Sequence, residues 1–298
     1  MNYSRRLAWE IPATAEGMTI KVYLQEACDF SSRTFRTVKK DGRILINGKL
    51  KKGFDLLTAG DQLEVFLPVE VVGEHLKPTP LQLDVMYEDE DIIVINKPPG
   101  VPSLPPQSGD PLNIAGALLA HYEANGATTA IHLVNRLDRD TSGAMMAAKH
   151  KHAHHKMSMQ QHSFALSRTY EAIVTGTLRP PSGTIEQPIG MKPGSKVERA
   201  VVPGGKHAVT HYKTLSPTKD GRDHLVQVQL ETGRTHQIRV HMTWLGHPLL
   251  GDTLYGKEND QIERQALHCR EMTFHHPITG DEMTIHCPLR EDMARLCP

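Results

Sequence analysis

His132-Leu133-Val134-Asn135-Arg136-Leu137-Asp138-Arg139-Asp140-Thr141-Ser142-Gly143 runs directly into Ala144-Met145-Met146-Ala147-Ala148. A polar loop that sets a carboxylate between two arginines feeds an apolar run too short for a helix and suited to a buried strand, Gly143 to Ala148. Asp138 therefore lies near a strand end, a favourable position for a reactive group. A salt-bridged turn would use the same residues, and this stretch alone leaves both readings open. Working outward, Lys149 to His162 reads as a helix. Strands follow at Thr169 to Val174, Val209 to Leu215 and Leu225 to Leu230, and Thr235 to Leu245 reads as a helix after a glycine turn. Leu267 to Phe274 and Met283 to Cys287 form a hairpin around Thr279-Gly280-Asp281. Upstream, Val85 to Tyr87 and Ile92 to Ile95 are strand-like, with Glu88 to Asp91 as an exposed turn. Lys97-Pro98-Pro99-Gly100 ends the second strand, and Pro111 to Ala124 is helical. Pro- and Gly-rich Arg179 to His207 reads as a surface excursion. Strands and helices intermix without regular alternation, so the fold class is α+β.

The first seventy residues have a different texture. Ile20, Leu24 and Ala27 share one helical face, and Ser31-Ser32 caps a second helix, Arg33 to Lys40. Arg43 to Ile46 is a short strand, Asn47-Gly48 a two-residue hairpin turn, and Gln62 to Leu67 a further strand. Val71 to Pro80 reads as a linker. This gives an expected organisation of 1–70, a linker at 71–80, and 81–298, in line with the two domains that 298 residues suggest.

Composition narrows the function classes. The hydrophobic share of 39 % supports a real core, and no run approaches the ~20 apolar residues of a membrane helix. Met1 to Pro12 carries Arg5, Arg6, Trp9 and Glu10 and no apolar run, so no secretory leader is expected. Four scattered cysteines without a C-x-x-C pair make a disulfide framework or zinc knuckle improbable, and a reducing cytoplasm is the expected location. Net charge is zero, yet Ser31 to Gly53 holds Arg33, Arg36, Lys39, Lys40, Arg43, Lys49, Lys51 and Lys52 against Asp41 alone. Lys149 to Lys156 is a second basic stretch. A phosphate backbone responds to such local charge rather than to the total; a solvated surface with no partner fits the charge equally well.

A second informative segment is Glu231-Thr232-Gly233-Arg234-Thr235-His236-Gln237-Ile238-Arg239-Val240-His241. It packs five donor side chains into two helical turns, which one helix cannot all point inward. Some are expected to grip phosphate and others to pair with a carboxylate. With N-R-L-D-R-D-T-S-G, Lys97-Pro98-Pro99-Gly100, Arg168-Thr169-Tyr170-Glu171-Ala172 and T-G-R-T-H-Q-I-R-V-H-M-T-W-L-G-H-P-L-L-G-D-T-L-Y-G, these motifs occur in the order found in pseudouridine synthases of the RluA type. The chain resembles that family from about Leu81 onward, with Asn135 where the family often has histidine. Gly17 to Leu67 resembles the RNA-binding domain named after small-subunit ribosomal protein four, though Ser31 to Phe35 departs from its usual helix start.

The resemblance implies a mixed, largely antiparallel catalytic sheet preceded by a small α+β RNA-binding domain, acting on structured ribosomal or transfer RNA. It implies that uridine is flipped out of the RNA, detached from ribose and rejoined through C5, without cofactor or metal. Asp138 would be the catalytic carboxylate, attacking the sugar or abstracting a proton from it. Arg239 would pair with it, and Tyr170 would stack on the flipped ring, its phenol a candidate for proton transfer from C5. Arg136 would fill the vacated space or hold phosphate. Arg234, His236 and Gln237, with Arg33, Arg36, Lys39, Lys40 and Arg43, would bind RNA. The glycine-rich stretches lack the strand–Gly–helix context of a nucleotide loop, so no nucleotide cofactor is expected. His150, His152, His154 and His155 are read as part of a basic helix along RNA, and His275-His276 as a hairpin edge. A monomer is expected. The competing readings are a catalytically silent RNA-binding protein and a zinc hydrolase built on the histidine cluster.

Overall fold

The computed structural model describes residues 3–73, 76–106, 111–127 and 129–298; residues 74 and 75 of the expected linker lie outside these. The chain opens with β1 (Tyr3–Glu10), α1 (Ile20–Glu26), α2 (Ser32–Asp41), β2 (Arg43–Ile46), β3 (Lys49–Leu50) and β4 (Gln62–Pro68). These strands form an antiparallel sheet ordered β1-β4-β2-β3. Side chains of Thr19 and Ser31 accept the N–H groups of Val22 and Thr34, satisfying orphan donors at the starts of α1 and α2. Asn47 and Gly48 both take positive φ, 49° and 76°, the turn geometry that suits strand twist. Ile20, Leu24, Phe35, Val38, Leu63 and Val65 close a separate small core. β1 was not expected. Leu7 is its only fully buried residue, so its sequence carries almost no period-two signal.

The remainder follows as β5 (Val85–Glu88), β6 (Ile92–Lys97), α3 (Ile114–Ala124), β7 (His132–Leu133), β8 (Ser142–Ala148), α4 (Lys151–His162), β9 (Ser167–Val174), β10 (Ser182–Glu186), β11 (Ile189–Met191), β12 (Arg199–Val201), β13 (Val209–Pro217), β14 (His224–Leu230), α5 (Gln237–Trp244), β15 (Leu267–His275), β16 (Glu282–His286) and α6 (Glu291–Ala294). Among the described residues the large sheet has ten strands, ordered β10-β13-β14-β9-β15-β8-β6-β5, with β16 on β15 and β7 on β8. Among the described residues only β8 and β15 run parallel, so the fold is α+β with a mixed, largely antiparallel sheet. β6 and β8 are buried at every residue, which is why they read as continuous apolar runs rather than alternating ones. Ile114, Leu118 and Tyr122 of α3 and Ala153 and Met157 of α4 join their core.

Other expectations change in part. Arg179 to His207 does lie largely at the surface, with Ile185 and Ile189 its buried residues, but it is built as β10, β11 and β12. Part of its glycine content serves close packing: a Cβ on Gly205 would stand 2.7 Å from the Ile189 backbone. The Glu88 to Asp91 turn is only partly exposed, since Asp91 is 3 % exposed and accepts from Arg5 Nε at 2.8 Å and pairs with His150 Nε2 at 2.9 Å. The histidine-rich helix does not lie free along a surface. His150 caps α4, and the buried His152 ring packs tilted against Phe30, centroids 4.1 Å apart. Burial, aided by the neighbouring His150 and Lys156, lowers the His152 pKa to about 3.

The N-terminal and C-terminal regions thus meet along α4. Lys151 pairs with Glu70 at 2.8 Å and Lys156 with Asp29 at 3.3 Å, while Lys149, just before α4, pairs with Glu88 of β5 at 2.7 Å. His275 ends β15 at the exposed edge of its hairpin with β16, whereas the adjacent His276 turns inside and bonds to Asp89 at 2.7 Å. Asp89, Asp91 and His276 bring ligand atoms within 4.8 Å of one another. Their hydrogen-bonding capacity is taken up by Arg5, His150, Tyr87 and the N–H groups of Asp91 and Ile92. All four cysteines are buried and free. No helix among the described residues is long and apolar enough to cross a membrane.

Candidate active site

The loop from Val134 to Thr141, between β7 and β8, is held from several sides. Asn135, 4 % exposed, accepts the Met146 N–H at 2.8 Å and so ties the loop to the strand it enters. Ser103 Oγ donates to the Leu137 carbonyl at 2.6 Å and accepts the Leu137 N–H at 3.2 Å. Lys97, fully buried, donates to the Pro98 and Arg139 carbonyls at 2.7 and 2.8 Å. Burial lowers its pKa to about 7, with Asp140 opposing and Arg264 adding to the shift. At the loop's end Gly143 sits at φ 111°, and any Cβ there would come within 2.3 Å of the Cys269 carbonyl. Only glycine permits β8 to lie parallel and this close to β15.

Asp138 is thereby fixed on the wall of a cavity of about 760 Å³, which Arg136, Arg168, Tyr170, Arg234 and His236 also line. Arg239, 6 % exposed, donates from Nη1 to Asp138 Oδ2 at 3.3 Å. Its Nε and Nη2 donate to Asp252 at 2.7 and 2.8 Å. Burial works against the Arg239 charge, but Asp252 and Asp138 outweigh it and raise the pKa. Asp252 is fully buried and also accepts the N–H groups of Leu254 and Tyr255. The guanidinium carbon lies 4.9 Å from the Tyr255 ring centroid. Arg239 is thus held in place before it reaches the Asp138 carboxylate.

His236 occupies the N-cap of α5 at φ 57°. Its Nδ1 bonds the Tyr255 hydroxyl at 2.7 Å and its Nε2 stands 3.9 Å from Asp138. Burial lowers its pKa despite the adjacent Asp138. Tyr170 on β9 is 4 % exposed, and burial raises its phenol pKa. β9 and β8 flank β15, so the sheet sets Tyr170 and the Asp138 loop on either side of one strand.

The structure therefore brings Asp138, Tyr170, Arg239, Arg136, Arg234 and His236 to one cavity. Gln237 differs from expectation. It is 3 % exposed, donates to the Val209 carbonyl and Thr210 at 2.9 and 3.0 Å, and accepts from Thr232 and the Arg234 N–H. It also lines the cavity, but its amide nitrogen is taken up by these internal bonds, which shape the loop that presents Arg234. Arg33, Arg36, Lys39, Lys40 and Arg43 do not line the cavity; they are exposed on α2 and β2. Ser103, Asp252 and the cavity cation Arg168 were missed. Asp252 and Arg168 lie inside quoted motifs, whereas Ser103 has no local signal.

A family model described as RNA pseudouridylate synthase matches residues 91–244. The chain is 45 % identical over 280 residues to the uncharacterized RNA pseudouridine synthase YjbO of Bacillus subtilis, covering 94 % of this chain and 98 % of that one. It is 40 % identical to the ribosomal large subunit pseudouridine synthase D of Pseudomonas aeruginosa, covering 86 % and 83 %. Its fold matches the human RNA pseudouridylate synthase domain containing 4 with a TM-score of 0.57 at 25 % identity, covering 71 % and 90 %. The cavity and its sheet are thus those of an RNA-modifying isomerase. The chain belongs to the RNA pseudouridylate synthase family and is an RNA pseudouridine synthase.

Proposed function

We propose that this enzyme converts a uridine in structured ribosomal RNA to pseudouridine by flipping it into the Asp138 cavity and using side chains alone. The carrying observation is a half-buried carboxylate on a clamped loop, 3.3 Å from a guanidinium that Asp252 already orients. Substrate and product contain the same atoms at the same oxidation level, so the reaction calls for no oxidant or reductant. Flipping costs a few kcal/mol, which the cavity offsets by placing Tyr170 against the base and Arg136, Arg168 and Arg234 toward phosphates. Asp138 acts as a carboxylate at the sugar, as nucleophile or base, while the C1′–N1 bond breaks and the C1′–C5 bond forms. The C5 proton then leaves and N1 gains one. Burial keeps the Tyr170 phenol protonated, so little phenolate is there to take the C5 proton, which favours stacking over proton transfer for that ring.

In this reading 1–70 is an RNA-binding domain like that of small-subunit ribosomal protein four, 71–80 a linker and 81–298 the catalytic domain. The separate core of the first sheet and the exposed cations of α2 support it. The relatives named for the ribosomal large subunit favour ribosomal over transfer RNA. The enzyme works in the cytoplasm as a monomer. Asp138→Asn tests the assignment. It preserves shape while removing charge, so pseudouridine formation on transcribed large-subunit ribosomal RNA should fall at least about 1,000-fold, with RNA binding retained. Turnover close to wild type would reject Asp138 as the catalytic group. Loss of binding in parallel with turnover would show a structural role instead.

A further inference from the structure

Phe164 stands one residue past the C-cap of α4 with φ 61°. Glycine usually fills that position, because a bulky side chain on a left-handed backbone is strained. The ring is also 61 % exposed, so its apolar face gains little from burial. Strain and solvated apolar area are both unfavourable in the free protein, and such outliers cluster where a ligand is met. Phe164 lies on the wall of the cavity that holds Asp138, Arg136, Arg168 and Tyr170.

The corner carrying Phe164 is firmly held. Gln161 Nε2 donates to the Val134 carbonyl at 2.6 Å, joining the end of α4 to the Asp138 loop. Gln160 donates to the His275 carbonyl at 2.6 Å and accepts the His275 N–H at 2.8 Å. The Leu166 N–H donates to the Gln160 carbonyl at 3.1 Å. The ring is thus presented from a fixed support, among cations spaced around the same opening.

We propose that Phe164 is a specificity-determining residue whose ring stacks on a nucleobase flanking the target uridine. This rests on the synthase reading above. The cavity, at about 760 Å³, is in the upper part of the range for small-molecule sites of ~300–1,000 Å³, leaving room beside the flipped base. Tyr170 lies deeper, at 4 % exposure, which leaves the open wall for the next base. A flat apolar ring lining the same cavity as Arg136 and Arg168 matches a base joined to phosphates. Any base has a stacking face, so Phe164 selects by structure: the neighbour must be unstacked and free to turn toward the cavity. A uridine in a loop with an unpaired neighbour is favoured over one inside a continuous helix.

The test uses transcribed large-subunit ribosomal RNA, then a synthetic stem-loop around the uridine that wild type converts. Phe164→Ala should raise KM about tenfold, with a smaller fall in kcat, as loss of one stacked base implies. Phe164→Trp should restore KM. Phe164→Asn should raise Tm by relieving the backbone yet share the KM defect, a combination that a merely structural aromatic would not give. Removing the flanking base from the stem-loop should raise the wild-type KM to the Phe164→Ala level and leave the variant unaffected. An active wild type with unchanged KM in Phe164→Ala, or a variant defect undiminished on the abasic RNA, overturns this proposal alone. A wild type that converts no uridine overturns the synthase reading and this proposal with it.

Discussion

Arg33 to Lys52 and Lys149 to Lys156 look alike as sequence, two lysine-rich stretches with hardly an acid among them. In the folded chain they have opposite fates. Arg33, Arg36, Lys39, Lys40 and Arg43 are exposed, and among the described residues none forms an ion pair. Every lysine of the second stretch has a carboxylate: Lys149 has Glu88, Lys151 has Glu70 and Lys156 has Asp29. Two of the histidines between them face inward, His150 on Asp91 and His152 on Phe30. A run of cations therefore marks a binding face only when the fold delivers no acids to it. Those acids arrive from other elements, so local composition cannot separate a nucleic-acid surface from an internal seam.

The strongest way to break the comparison is to remove the acid at the centre of the seam. Asp91→Ala takes away the buried acceptor that the Arg5 guanidinium and the His150 ring share. Losing one partner of a buried pair costs about 3–5 kcal/mol. Because Arg5 keeps its pairing with Glu90, the lower end, about 3 kcal/mol, is expected from urea unfolding. A loss below about 0.5 kcal/mol, the size of an ordinary surface change, would mean that the seam does not depend on this network.

The same contrast shows what was legible beforehand. α1, α2, the Asn47-Gly48 turn and β8 follow from caps, turn chemistry and apolar runs, all of which are local. Asp138 stands out because a carboxylate between arginines before a buried strand is a local pattern too. What was hidden depends on distance along the chain. Ser103 grips Leu137 across 34 residues, and Arg5 reaches Asp91 across 86. Gln237 shows the converse error: its position in a donor-rich turn suggested RNA, while the helix orients it toward Val209 and Thr210. A polar residue's type advertises hydrogen bonding; only the backbone around it decides with whom.

The exposed stretch supplies the second prediction. Replacing Arg33, Arg36, Lys39 and Lys40 together by Gln should weaken binding to transcribed ribosomal RNA by about ten- to thirtyfold at physiological salt. It should also reduce the slope of log affinity against log salt by ~0.7–0.9 for each phosphate that is no longer neutralised. Stability should shift by less than about 0.5 kcal/mol per site, because no ion pair is broken. Substitution tests this face more cleanly than removal of 1–70, which would strip Asp91, His152 and Lys151 of their partners. The matching control is Lys156→Gln, whose pairing with Asp29 predicts no change in the salt slope. A reduced slope in that control would erase the distinction between the two stretches.

The smallest effect, and the one most specific to the seam, concerns Glu70. Its carboxylate meets the Lys151 ammonium at 2.8 Å, the Lys151 N–H at 2.9 Å and His132 Nε2 at 3.0 Å. Burial pushes its pKa up, but the bonds to His132 and Lys151 outweigh it, and the pKa falls from 4.5 to about 2. A carboxylate whose folded pKa is lowered favours folding when ionised. Its contribution is fully present above pH 4.5 and is lost as pH falls through about 2. Glu70→Gln should therefore cost about 1 kcal/mol near neutrality, with the gap to wild type closing between those two pH values. Stability curves measured from pH 7 down to pH 2 check this, and Asp89, Asp91 and Glu88, lowered in the same direction, still give the variant an acid limb, though a shallower one. A constant offset between the two curves over the whole range would mean that Glu70 acts through packing and not through its charge. The second basic stretch would then be held against the N-terminal region by shape and not by paired charge.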